Sequence, residues 1–122
     1  MPAFVLKTLK FLNPDERNAV EIFEGRVKEA LSDNLMALEV FGSKVRGDFD
    51  AESDIDVFVL VKTFTPDVMT AVAAISSDIS IDCGVLISPV VLSDDEYDKN
   101  LRSNTFFSQE LKSCGVLLYE RA

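Results

Sequence analysis

A chain of 122 residues that is 48% hydrophobic and 27% charged has the size and make-up of one globular domain. Its net charge of −9 argues against an extended nucleic-acid footprint, which needs a basic face to neutralise phosphates. Two cysteines without a CxxC spacing, and no histidine, remove the common zinc ligand sets and any histidine general base.

Met1 to Leu12 interleaves apolar residues with Lys7 and Lys10 and carries no signal-peptide pattern. No apolar run approaches the roughly 18–20 residues that span a bilayer, so a cytoplasmic protein with no membrane contact is expected. Asn13, Pro14 and Glu16 read as a helix start, with an N-cap, a proline at the first position and a capping-box acid. Val20, Phe23, Val27, Ala30 and Leu31 continue it as one apolar stripe, and Asp33-Asn34 stops it. Leu35 to Phe41 is the first strand, and it delivers the chain to Gly42-Ser43. Lys44 to about Phe49 reads as a short helical turn, and Asp50 to Ser53 as a polar loop. Ile55 to Lys62 is the second strand.

Thr65-Pro66-Asp67 starts a second helix, with Val68, Met69, Val72, Ala73 and Ile75 as its buried surface and Ser76-Ser77 as its end. Alternation over Ser80 to Ile87, closed by Ser88-Pro89, predicts a third strand with Cys83 on its buried side. Ser93 and Glu96 form a second capping box, before a helix to about Arg102. The acidic run Asp94-Asp95-Glu96 and Asp98 reads as the solvated start of that helix. Phe106, Phe107 and Leu111 lie on a last short helix, and Val116 to Tyr119 on a final strand. The expected fold is α+β, a mixed sheet of three or four strands backed by helices, in one domain whose core runs from about residue 35 to 119.

The densest chemistry lies between the first two strands. Residues two apart on a strand share a face. Asp54 and Asp56 therefore point together, while Ile55, Val57, Val59 and Val61 face the core. Packing alone gives no reason for two like charges at the head of an apolar strand. A divalent cation between them relieves the repulsion, and hard cations such as Mg²⁺ take oxygen ligands. The Gly42-Ser43 turn offers backbone N–H groups, close approach and a hydroxyl to a phosphate. Together these residues read as a site for a metal and a triphosphate.

The string Gly42-Ser43, then Arg46-Gly47-Asp48, then Ser53-Asp54-Ile55-Asp56, resembles the signature of the DNA polymerase beta-like nucleotidyltransferase superfamily. Its short single-domain form is similar to the minimal nucleotidyltransferases, over roughly residues 35 to 119. The resemblance implies a third acid on the next strand, and Ile81-Asp82-Cys83 fits that pattern. Asp78, which precedes the alternation, is the nearby alternative. It further implies two Mg²⁺ ions held by Asp54, Asp56 and Asp82, with Asp82 able to accept the proton of the attacking hydroxyl. Gly42 and Ser43 would hold the terminal phosphates of ATP or another nucleoside triphosphate. Arg46, whose guanidinium can fork onto a phosphate, is preferred to Lys44 as the accompanying cation; a surface pair with Asp48 or Asp50 is its alternative.

The same resemblance implies transfer of a nucleoside monophosphate, AMP first among them, to a hydroxyl. Minimal nucleotidyltransferases commonly pair with a helical HEPN-type protein, as the antitoxin that modifies a tyrosine of its toxin. The core uses nearly all of the 122 residues, so the acceptor is expected to come from such a partner, with Thr105 to Tyr119 contributing contacts. Two other readings remain beside it: a small-molecule transferase similar to those that modify aminoglycosides, and a module that neutralises a toxin by docking alone.

Overall fold

Asn13 opens the first helix as its side chain implies. In the computed structural model, which describes residues 9–47 and 54–121, its Oδ1 accepts from the Glu16 N–H at 2.8 Å and its own N–H donates to Glu16 Oε1 at 3.0 Å. This reciprocal box satisfies two backbone donors at once. Helix α1 (Pro14–Leu31) then buries Ala19, Val20, Phe23, Val27 and Leu31 along one stripe. A single 3₁₀ turn, Ser32–Asn34, leads into strand β1 (Leu35–Phe41). Helix α2 (Ser43–Arg46) follows, then β2 (Ile55–Val61), α3 (Pro66–Cys83), β3 (Ile87–Ser93), α4 (Asp94–Arg102), α5 (Phe106–Cys114) and β4 (Val116–Glu120). The expected polar loop, Asp50 to Ser53, lies outside the described residues, as do Asp48 at the end of the expected helical turn and the first eight residues.

The four strands form one mixed sheet in the order β3-β2-β1-β4. β1 runs antiparallel to β2 and β4, and β2 runs parallel to β3. Alternation assigns each strand two faces. Leu38 and Val40, with Ile55, Val57, Val59 and Val61, pack under α1 and α3 in the larger core. Ala37, Phe41, Phe58 and Leu60 turn the other way, to meet Leu111 and Phe107 of α5 and Tyr97 of α4. The α+β architecture expected from the sequence is thus present, with helices on both faces. No helix among the described residues is long and apolar enough to cross a membrane.

One element differs from expectation, and with it one site residue. The residues read as the end of the second helix and the start of a strand are continuous helix: α3 runs through Ser76-Ser77 and on to Cys83. Val68, Val72, Ile75, Ile79 and Cys83 recur at helical spacing, and all lie in or against the larger core. Ile81, which alternation would have placed on a buried strand face, is 79% exposed. The stop signal is Gly84, whose φ of +68° forms the left-handed cap that glycine tolerates best. Ser76 does not break the helix; its hydroxyl donates to the Ile87 carbonyl at 2.9 Å. Consequently Asp82 sits exposed on the last turn of a helix, and Cys83 is half-buried beside it. The third strand comes later and contains Pro89. It is an edge strand, where a missing N–H is tolerated.

Candidate active site

The antiparallel pairing of β1 and β2 brings the glycine-serine turn to the two aspartates. Phe41, the last residue of β1, stands opposite Asp56, the second residue of β2. Gly42 therefore lies directly against the Asp56 side chain. A Cβ built on Gly42 would stand 2.2 Å from Asp56 Oδ2, and the glycine itself has φ +86°. Both the close approach and the backbone angle demand a residue without a side chain. The turn then closes as α2, with the Val45 and Arg46 N–H groups donating to the Gly42 carbonyl at 3.1 and 3.2 Å. Gly47, at φ +87°, ends it.

Asp56 projects with Phe58 and Leu60 from the sheet face under α5, as strand alternation required. Half-buried, its carboxyl is pushed above the ordinary aspartate range by desolvation first, then by the negative charges of Asp54 and Glu110; Arg46 offsets part of this. Asp54 is exposed at the head of the strand. The site thus concentrates carboxylates that repel one another when ionised, a disposition common where a cation or a reaction is served.

A cleft of about 310 Å³ opens between the turn and α5, lined by Gly42, Ser43, Arg46 and Asp56 on one side and by Phe106, Phe107 and Glu110 on the other. Its size is at the lower end of the roughly 300–1,000 Å³ of small-molecule sites. Its floor is aromatic: Phe107 meets Phe41 at 5.4 Å and Phe58 at 5.2 Å between ring centroids, both edge to face. This cluster fixes α5 over the sheet and so fixes the cleft wall. A larger depression, about 560 Å³, lies beyond the far end of β2 around Lys62, Phe64 and Glu96. It faces neither the turn nor the aspartates, so volume alone does not locate the chemistry.

The two cations of the turn have separate duties. Lys44 is buried, with its Nζ 2.7 Å from Glu16 Oε2 of α1. It fastens the turn to the helix whose cap Glu16 also completes. Arg46 is the cation that lines the cleft, and its Nη1 pairs with Glu110 Oε2 at 2.5 Å. That pair is partly exposed, with the two side chains 37% and 18% exposed, and it ties the turn to α5 across the cleft.

Of the six site residues expected from the sequence, Gly42, Ser43, Arg46 and Asp56 line one cleft and Asp54 adjoins it. Asp82 does not join them. Among the described residues no group of three or more acids, cysteines or histidines is close enough to hold a metal ion. On β3 the residue level with Asp56 is Ser88, and the strand Ile87–Ser93 carries no acid. Glu110 was not anticipated. Its signal was its spacing: Phe107, Glu110, Leu111 and Cys114 share one helix face, so an acid stood within an inward stripe.

Comparison with known proteins agrees with this geometry. A family model described as a nucleotidyltransferase domain matches residues 20–122. Two Methanocaldococcus jannaschii proteins are similar in sequence. "Putative protein adenylyltransferase MJ0141" is 35% identical over 98 residues, 80% of this chain and 92% of that protein. "Putative protein adenylyltransferase MJ0604" is 27% identical over 106 residues, 86% and 99% of the two. Among solved structures, spectinomycin adenyltransferase AAD(9) of Enterococcus faecialis, with ATP and spectinomycin, superposes with a TM-score of 0.63 at 15% identity. That alignment covers 87% of this chain and 56% of the enzyme, so the chain spans little more than half of the enzyme's length. A tri-AMPylated Shewanella oneidensis HEPN toxin in complex with its MNT antitoxin gives a TM-score of 0.52 at 18% identity, covering 88% and 73%. At such identities the structural likeness is one of fold.

Proposed function

The chain belongs to the nucleotidyltransferase domain family, and we propose that it transfers AMP from ATP to a hydroxyl on a helical HEPN-type partner, acting as that partner's antitoxin. The observation that carries this reading is the meeting of Gly42-Ser43 with Asp56 in the lining of one cleft, a glycine-serine turn set directly against a carboxylate. The names of the sequence relatives and the antitoxin–toxin complex of like fold support the choice of a protein acceptor.

Asp54 and Asp56 would hold Mg²⁺. The donor set fits, because Mg²⁺ is commonly bound through one or two carboxylates and completes its shell with water and substrate phosphate oxygens. Bound there, two such ions would neutralise the phosphates and make the attacking hydroxyl easier to deprotonate. Asp82 has no part in the proposal, since it lies on an exposed helix end. Gly42 and Ser43 would hold the terminal phosphates by N–H and hydroxyl, and Arg46 would exchange Glu110 for a phosphate oxygen. The turn is held still for this work by the buried Lys44–Glu16 pair and by the close seat of Gly42 on Asp56.

A second reading is favoured by the likeness to the spectinomycin enzyme and by the acidic surface, which suits a polycationic drug. One experiment separates the two. The purified chain is incubated with labelled ATP and Mg²⁺, with either a co-expressed HEPN-type partner or an aminocyclitol or aminoglycoside. Intact mass should rise by one or more AMP units on the partner and not on the drug. Rapid modification of the drug, with an unmodified partner, would reverse the assignment.

A further inference from the structure

Phe106 is the first residue of α5 and is 76% exposed, yet it lines the same cleft as Gly42, Ser43, Arg46 and Asp56. Its neighbour Phe107 turns inward to the aromatic cluster, so the two rings divide the work of the helix: one anchors it, the other faces the opening. Thr105 fixes the start of α5 by accepting from the Ser108 N–H at 3.2 Å, which holds the Phe106 backbone in place. The cleft therefore has two unlike walls. One is polar and charged, suited to phosphates; the other ends in a presented aromatic face.

A ligand that uses both walls has an anionic end and a flat aromatic end. We propose that Phe106 is the stacking platform for the nucleobase of the nucleoside triphosphate, a proposal that rests on the nucleotidyltransferase reading of this cleft. A sugar phosphate or free polyphosphate would leave the ring unused. Stacking of a base on an aromatic side chain contributes about 1–3 kcal/mol, which is roughly 5- to 100-fold in affinity at about 1.4 kcal/mol per tenfold. Because every base has a π-face, the contribution is similar for ATP and GTP. With so little of the ring packed, its replacement leaves the core intact.

Calorimetry with Mg-ATP and Mg-tripolyphosphate tests this on the wild type, Phe106→Ala and Phe106→Trp. The wild type should prefer ATP. Phe106→Ala should weaken ATP about 5- to 100-fold and leave tripolyphosphate unchanged, while Phe106→Trp keeps the preference. Unchanged ATP affinity in Phe106→Ala overturns the proposal, including the case where only transfer to a protein partner is lost, which would make the ring a docking contact. Equal weakening of both ligands also overturns it, since the ring would then act through the phosphate turn. A wild type that binds neither ligand overturns the underlying reading of the cleft, and the proposal with it.

Discussion

Replacing Asp54 and Asp56 together by asparagine is expected to abolish nucleotide transfer without unfolding the protein. A carboxylate-held cation is worth several kcal/mol of charge stabilisation in the transition state, about a thousandfold or more in rate at roughly 1.4 kcal/mol per tenfold. The fold should tolerate the change or gain from it. The carboxyl of Asp56 is raised by desolvation and then by Asp54 and Glu110, so in the metal-free protein its ionised form opposes folding. The sign follows: a carboxyl whose folded pKa lies above its unfolded value costs stability at neutral pH, and that cost fades as pH falls through the folded pKa. The wild type without metal should thus gain on the double variant when mildly acidified. Thermal melts across pH, beside a transfer assay, check both halves. Retained transfer in the double variant would mean the chemistry lies elsewhere.

Lys44→Ala should be strongly destabilising, although its ammonium lines no part of the cleft. Lys44 and Glu16 are both buried, with side chains 4% and 10% exposed and the charges 2.7 Å apart. Removing one partner leaves the other as an uncompensated buried charge, at a cost of about 3–5 kcal/mol. For a domain of this size that lowers Tm by roughly 10 °C or more. Glu16 also completes the cap of α1, so the loss reaches the helix start. A double replacement, Glu16→Gln with Lys44→Met, removes the orphaned charge and should recover much of the loss. Denaturant titration of the three variants measures this. A Lys44→Ala variant as stable as the wild type would show that the pair does not hold the turn.

That Gly42-Ser43 and Asp56 belong to one site was legible from the sequence because it needs only two strands and the chain between them; the antiparallel pairing that joins them came from the structure. Alternation fixed which face Asp56 takes, and capping residues placed the helix starts at Asn13, Thr65 and Ser93. The failure at Asp82 has a specific cause. The segment from Ile79 to Cys83 satisfies a period of two and a period near four at once, so only the helix begun at Thr65 and the left-handed Gly84 decide between them. The family resemblance called for a third acid on a strand there, and the helix carries Asp82 instead. Lys44 and Glu110 were hidden for another reason: their partners, Glu16 and Arg46, are distant in sequence, and no local pattern records such a pairing. Tertiary packing assigned the nearer cation to structure and the farther one to the cleft.

The claim that Asp54, Asp56 and the Gly42-Ser43 turn form a site for a metal and a triphosphate is tested most directly by calorimetric titration of the wild-type chain with ATP, in Mg²⁺ and in EDTA. Clustered carboxylates repel an uncompensated triphosphate, so binding should be measurable with Mg²⁺ and lost, or weakened at least about tenfold, in EDTA. Equal affinity under the two conditions would contradict the account.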